Sequence, residues 1–401
     1  MQLVQPHSKP LLKLRLNRNL TRSLKRGHPW VFADALRLRP PEPPGTQAVL
    51  LDNKKGREIA RGFYDAQSPL AFRVCSLEPG QALNDVWARE RFERALALRR
   101  TLFDGTTTGF RLFNGEGDGL PGIICDIYGD TAVLQLDGAG PNGFWHTLGI
   151  ARWLAEALKL RWVYERHQSR RQAKSRLLVG DSLLRNPVPF VENGINFTAD
   201  IIQGQKTGFF LDQRENRQRI RSLAANRHVL NLFGYTGGFS VYAGLGGAGH
   251  VTTVDLARPA LKAADYHWQL NGLDPTDHEL VEADVFNYLD QMAQVEKRWE
   301  LVIVDPPSFA PSKEALPQAL RAYERLITTS ATVTTIDGLL AAASCSSHVS
   351  LEAFLQLCEE GVSKARRRAT LFGAYGQPSD HPTPLAFPQF RYLKFVLMRV
   401  E

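Results

Sequence analysis

From about residue 190 the chain alternates short apolar runs with longer amphipathic stretches, and this rhythm restricts the possible folds sharply. The apolar runs are HVLNLF (228–233), HVTTVDL (250–256), HELVEADV (278–285), WELVIVDPP (299–307), GLLAAASCS (338–346), RRATLFG (367–373) and YLKFVLMRV (392–400). Helical spacing falls between them, near 239–246, 258–271, 286–297, 317–334 and 350–366. Strands that are apolar on both sides must be covered on both faces, which predicts a largely parallel α/β sheet between helical layers. Ser350, just ahead of Glu352, is placed to cap the last helix. The final two runs are joined by a non-helical stretch, 374–390, and are expected to pair antiparallel at an edge.

The first half has a different texture. Residues 1–75 read as short strands broken by PPEPPG, as in a small barrel or sheet domain. Residues 76–187 open with a helix over 85–103. They continue as paired strands around glycine-rich turns and close with a helix over 143–158 and the strand RWVYERH. Three domains are therefore expected, 1–75, 76–187 and 188–401, which suits a length of 401 residues.

With 43% apolar and 22% charged residues, the composition excludes a disordered chain. No apolar run approaches the roughly 18–20 residues of a membrane helix. The N-terminus lacks the apolar core of a secretory signal. A cytoplasmic protein without membrane attachment is expected. Cys75, Cys125, Cys345 and Cys358 form no CxxC pattern and no Cys/His cluster, which argues against both a zinc module and a disulfide framework.

Residues 1–40 carry nine Lys and Arg, among them Arg15, Arg22, Lys25 and Arg26, against Asp34 alone. That excess equals the net charge of the whole chain, +8. Two smaller basic patches follow, one with Arg161, Arg166, Arg170, Arg171, Lys174 and Arg176, the other with Lys364, Arg366, Arg367 and Arg368. Positive charge gathered in this way suits a phosphate polymer, with a solvated surface as the plainer reading.

In open α/β sheets ligands sit outside the carboxyl ends of the strands. The first strand runs into Asn231-Leu232-Phe233-Gly234-Tyr235-Thr236-Gly237-Gly238, where glycine allows a tight turn and close approach of a ligand. The loop is neither GxGxxG nor a P-loop, so a diphosphate cradle is disfavoured. Asp255 ends the second strand and suits ribose hydroxyls; Asp284 follows the third and suits an adenine amino group. Together they describe an adenosine pocket without a phosphate site, which fits S-adenosylmethionine better than NAD. Either aspartate alone reads equally well as a helix cap. After the fourth strand, Asp305-Pro306-Pro307-Ser308-Phe309 forms a rigid turn offering a carboxylate and an aromatic ring to a flat base. At the end of the fifth, Cys345 stands where an apolar strand turns polar. A thiolate there is suited to add to C6 of a pyrimidine and so activate C5 toward a methyl group. A buried structural cysteine is the competing reading.

Over nearly its whole length the chain resembles the bacterial 23S rRNA (cytosine-5)-methyltransferases of the large-subunit methyltransferase I type. The likeness rests on His28–Phe32, Gly115–Gly122, the run Gln205–Arg217 (QKTGFFLDQRENR), Asn231–Gly238, Asp305–Phe309, Ser344–Ser346 and Asp380-His381-Pro382. It implies an N-terminal PUA-type RNA-binding domain, a middle α+β domain and a class I, Rossmann-like methyltransferase domain with a seven-stranded sheet. It further implies that Lys206, Thr207, Phe209 and Asp212 line the methionine end of S-adenosylmethionine, that Cys345 is the nucleophile, and that the protein forms a homodimer. Many RNA 5-methylcytosine enzymes carry a second cysteine in an Asp-Ala-Pro-Cys pattern; here Pro307-Ser308 holds that place. Two other functions compete with cytosine-5 methylation: nitrogen methylation of a purine by the Asp-Pro-Pro-Ser-Phe turn, and a non-catalytic RNA-binding assembly factor. An NAD oxidoreductase is the weakest reading.

Overall fold

The computed structural model describes residues 1–7, 10–167, 175–310, 312 and 314–401, and the chain divides into two compact units. One comprises Met1–Gly194, Thr198–Leu211 and Ser379–Pro388; the other comprises Ile195–Phe197, Asp212–Pro378 and Gln389–Glu401.

The second unit is built on a seven-stranded sheet. Its strands are β1 (His228–Leu232), β2 (His250–Asp255), β3 (His278–Glu282), β4 (Trp299–Val304), β5 (Thr334–Ser344), β6 (Ala369–Tyr375) and β7 (Lys394–Val400). Their order is β3-β2-β1-β4-β5-β7-β6, parallel from β3 to β5 and antiparallel where β7 enters between β5 and β6. The helices are α1 (Arg214–Leu223), α2 (Gly238–Leu245), α3 (Arg258–Leu270), α4 (Val285–Gln294), α5 (Leu316–Thr332) and α6 (Leu351–Lys364). Strand alternation divides the core in two. Leu230, Leu232, Val302, Val304, Leu340 and Ala342 pack with Leu289 of α4, Tyr323 of α5 and Phe354 of α6. Val229, Leu301, Ile303, Leu339 and Ala341 pack with Ile220 of α1, Phe239 of α2 and Trp268 of α3. Each such Val, Leu, Ile or Phe side chain, when fully buried, stabilises the fold by about 1.5–3 kcal/mol.

The first unit holds two five-stranded sheets, one within Leu12–Ser76 and one within Gly109–Val179. Glu116, in the glycine-rich turn 115–122, links them. Its Oε1 accepts from Trp30 Nε1 and from Arg73 Nη1, both at 2.6 Å. Arg73 also pairs with Asp137 at 2.7 Å. The unit also includes Ser379–Pro388, from the loop between β6 and β7. Asp380 accepts from the Arg111 backbone N–H at 2.9 Å, and its carbonyl accepts from Arg99 Nη2 at 2.8 Å. The expected domain 188–401 is thus not one continuous piece, because 198–211 and 379–388 belong with the first unit.

Beneath the β1–β3 edge runs a chain of polar side chains. Asn231 Nδ2 donates to Ser240 Oγ (2.8 Å), which is hydrogen-bonded to Thr253 Oγ1 (2.6 Å), which in turn bonds to His278 Nε2 (2.8 Å). The His278 ring stacks on Trp268 at 4.3 Å, and its Nδ1 is buried without a hydrogen-bond partner. Burial lowers the His278 pKa from 6.5 to about 4. The folded protein therefore holds His278 neutral at a pH where the unfolded chain protonates it, so its contribution is complete above pH 6.5 and is lost as pH falls toward 4. The His278-dependent part of stability should fall by up to about 1.4 kcal/mol per pH unit across that window. Comparing thermal unfolding of the wild type and His278→Gln at pH 7 and pH 5 checks this: the variant should show the smaller pH dependence.

Candidate active site

Register brings the functional loops together. Leu232 on β1 lies opposite Val254 on β2 and Val304 on β4; Asp255 lies opposite Glu282 on β3; Val304 lies opposite Ala342 on β5. The carboxyl ends of five parallel strands are therefore nearly level along one edge. That edge bears Phe233–Gly238, Asp255, Asp284, Asp305–Phe309 and Cys345.

The loop after β1 is tightly wound, with Phe233, Tyr235 and Gly237 at φ of 57°, 46° and 75°. A non-glycine residue in this region is under strain unless its surroundings hold it there. Asp255 does so, accepting from Tyr235 N and Ala257 N, each at 2.8 Å. Gly234 is glycine for a reason other than ligand approach: a Cβ there would lie 2.4 Å from Thr253 Cγ2. Asn231, expected to touch the cofactor, is only 1% exposed, and its amide belongs to the polar chain beneath the sheet, where it supports the loop. Asp284 is an exposed helix cap whose Oδ1 accepts from Asn287 N at 3.0 Å. Its Oδ2 has no partner among the described residues.

Beyond β4, Pro306 is buried and Pro307 exposed. The Phe309 ring does not stand out as a free platform for a base. It lies 4.9 Å from the Tyr323 ring, 6.3 Å from Phe286 and 6.5 Å from Phe233, centroid to centroid, and so joins the aromatic wall near Asp284. Asp305 Oδ2 accepts from Gln213 Nε2 at 3.0 Å, and Gln213 Oε1 accepts from Asn216 Nδ2 at 2.7 Å. The second half of the QKTGFFLDQRENR run thus orients the carboxylate of the Asp-Pro-Pro turn.

Cys345 is half-buried, with its Sγ 4.0 Å from the carbonyl of Pro306. Cys75, Cys125 and Cys358 are buried, and burial raises their thiol pKa values, that of Cys358 to about 12. Around Cys345 hydroxyls form a chain: Ser308 to Ser346 (3.0 Å), Ser346 to Tyr323 (2.9 Å) and Tyr323 to Ser344 (3.0 Å). Lys394, opposite Ser344 on β7, is 3% exposed and donates to the carbonyls of Ser346 (2.6 Å) and Tyr392 (2.7 Å). Tyr392 Oη in turn donates to Asp212 Oδ2 at 2.6 Å.

Residues 205–211 belong to the first unit. Lys206 is exposed, with its ammonium 4.5 Å from the Phe210 ring. Thr207, 2% exposed, bonds to Tyr128 Oη at 2.9 Å and to Asp126, and Phe209 packs 5.1 Å from Phe190. The side chains of Thr207 and Phe209 are therefore core groups of that unit, unlike the cofactor-lining expected of them. Arg15 also departs from expectation. Its guanidinium, only partly exposed, bonds to the carbonyl of Lys54 at 2.8 Å and so is engaged within the unit. Arg22, Lys25 and Arg26 are exposed and have no ion-pair partner among the described residues. Arg22 and Arg26, with Asn19, Ser23, Leu385 and Ala386, line an open depression of about 700 Å³. Arg170, Arg171 and Lys174 lie outside the described residues, as does Lys9 of the N-terminal cluster.

Comparison with known proteins identifies the fold. Residues 147–361 match the S-adenosylmethionine-dependent methyltransferase family, and residues 14–77 match a PUA-like domain. A ribosomal RNA large subunit methyltransferase from Deinococcus radiodurans is 37% identical over 98% of both chains. Ribosomal RNA large subunit methyltransferase I of Photobacterium profundum is 37% identical over 93% of this chain and 95% of its own. The chain belongs to the ribosomal RNA large subunit methyltransferase I family. A solved candidate SAM-dependent methyltransferase from Streptococcus mutans superposes with a TM-score of 0.84 at 26% identity, covering 97% of this chain and 100% of its own. Another candidate methyltransferase, solved in complex with SAH, gives a TM-score of 0.85 at the same identity and coverage.

Membership makes S-adenosylmethionine the cofactor. The donor set at the strand ends fits it. Asp255 and Asp284 offer carboxylate oxygens for a ribose and an adenine edge, and the loop Phe233–Gly238 holds no cation for a diphosphate. Sequence reasoning missed Gln213, Asn216, Tyr323, Tyr392 and Lys394. The first two lie in the QKTGFFLDQRENR run, but the target of Gln213, Asp305, is 92 residues away. The loop geometry makes a testable demand. An alanine Cβ at Gly237 would meet Ala264 Cβ at 2.7 Å in addition to the left-handed φ, whereas Gly272 shares the φ (+69°) but has nothing within 4 Å. Gly272→Ala should cost about 1–2 kcal/mol, and Gly237→Ala about 1–3 kcal/mol more. Paired unfolding curves check the difference.

Proposed function

We propose that this protein methylates C5 of a cytosine in 23S ribosomal RNA in the cytoplasm, through a covalent adduct of Cys345. The carrying observation is the placement of Cys345: half-buried at the functional strand edge, beside the Asp-Pro-Pro turn, while the other three cysteines are buried. The Cys345 thiolate adds to C6, forming an S–C6 bond and leaving C5 enamine-like. S-adenosylmethionine, when bound, supplies an electrophilic methyl group to that carbon. Transfer of the C5 proton to water then reforms the C5–C6 double bond, expels Cys345 as thiolate and restores the enzyme. Asp305, oriented by Gln213, hydrogen-bonds the cytosine edge near N3. The target base must leave its stack to reach this edge, which favours an accessible loop in the RNA.

RNA containing 5-fluorocytidine should trap a denaturation-resistant complex, because fluorine cannot leave as the C5 proton does. Cys345→Ala should abolish both the complex and methyl transfer, lowering the rate by at least about 10⁴-fold. Asp305→Asn should lower it by about 10²-fold or more. Mass spectrometry of digested RNA that finds a methylated purine nitrogen, or C5 methylation by Cys345→Ala, overturns the reading.

In the same reading the first unit holds the RNA by its phosphates, with Arg22, Lys25 and Arg26 as exposed cations. Replacing Arg22 and Arg26 by alanine should weaken RNA binding across sequences. It should also flatten the slope of log affinity against log salt by roughly 1–2. A salt titration by fluorescence anisotropy measures both.

A further inference from the structure

The buried lysine on β7 is the most informative group that the reaction scheme leaves unused. Lys394 is 3% exposed, and its ammonium is held by two carbonyl oxygens, of Ser346 and Tyr392. It ion-pairs with no carboxylate among the described residues. A cation removed from water without a counter-ion is costly, and carbonyl dipoles offset only part of that cost. Cys345 is next in the chain to the residue whose carbonyl holds the ammonium. Ser344 and Ser346 flank it in the chain, the first opposite Lys394 in the sheet and the second bonded to its ammonium.

We propose that Lys394 is a positioning residue that holds Cys345 as the thiolate, which rests on the reading of Cys345 as nucleophile. Burial lowers the lysine to about 8, and the charge of Cys345 acts in the opposite direction. Linkage is reciprocal: an anion that favours the ammonium is favoured by it to the same degree. The other titratable groups facing the pair are Tyr323, Asp305 and Asp212. Tyr323 of α5 is held neutral by burial and bonded to Ser344 and Ser346. Asp305 accepts from Gln213, and Asp212 accepts from Tyr392. Lys394 touches neither base nor cofactor in this scheme; it acts through the sulfur.

The test is the pH dependence of iodoacetamide alkylation of Cys345 in the full-length protein without RNA, followed by mass spectrometry of the Cys345 peptide. In the wild type the midpoint should lie at least about one unit below the ordinary thiol value of about 8.5. Lys394→Met should raise the midpoint by about one unit or more, slowing alkylation at pH 7 about tenfold. Lys394→Arg, which keeps the charge, should retain most of the wild-type reactivity. A wild-type midpoint at or above about 8.5 overturns the proposal even if the Met variant fails to fold. Coincident midpoints for folded wild type and Lys394→Met overturn it as well. The readout needs no RNA, so a failed 5-fluorocytidine adduct refutes the nucleophile assignment without altering the alkylation result.

Discussion

The in-register pairing of Leu232 with Val254 and Val304, and of Val304 with Ala342, aligns the ends of four parallel strands, and the functional loops inherit that alignment. A slip of one residue in any strand would reverse its inward and outward side chains. It would move Leu230 and Leu232 from the core they share with Tyr323 and Phe354 to the one built on Trp268 and Phe239. The hydrophobic pattern that covers both faces of the sheet therefore also fixes where Asp255, Asp305 and Cys345 emerge. Packing and site geometry share one constraint, which is why the candidate site residues sit where strands end and not along them.

Buried polar networks add precision to that frame. Asp255 holds the left-handed turn at Tyr235 by accepting its backbone N–H. Asn231, Ser240, Thr253 and His278 support the same turn from inside the sheet. On the other side of β1, Asn216 and Gln213 orient Asp305, and Lys394 and Tyr323 surround the hydroxyls next to Cys345. Such networks are sensitive because a buried polar group left without its partner loses the full cost of its dehydration. In the first unit Glu116 has a comparable role, joining Trp30 of one sheet to the glycine-rich turn of the other.

Much of the second unit was legible. The alternation of apolar runs and helical spacing anticipated all seven strands and five of the six helices to within a few residues, together with the antiparallel ending. The exception was α1, whose polar sequence RENRQRIRSL hides its helical face among charges. Local motifs fared unevenly when read for contact. Gly234 proved to be required by Thr253, Thr207 and Phe209 by the core around Tyr128 and Phe190, and Arg15 by a turn carbonyl. Each of these residue types suits a ligand as readily as a neighbour, and only the distances distinguish the two.

What the chain's sequence determined by itself was the class of fold, the places where its strands end and the chemical character of each loop, because those follow from periodicity and from residue type. The tertiary structure decided which polar groups meet. Gln213 reaches Asp305 across 92 residues, and Lys394 reaches the turn after β5 across 48. It also decided that 379–388 belongs with the first unit, through Asp380. Periodicity reports which face of an element is buried, whereas the partner it meets depends on how distant elements are brought together by the whole fold.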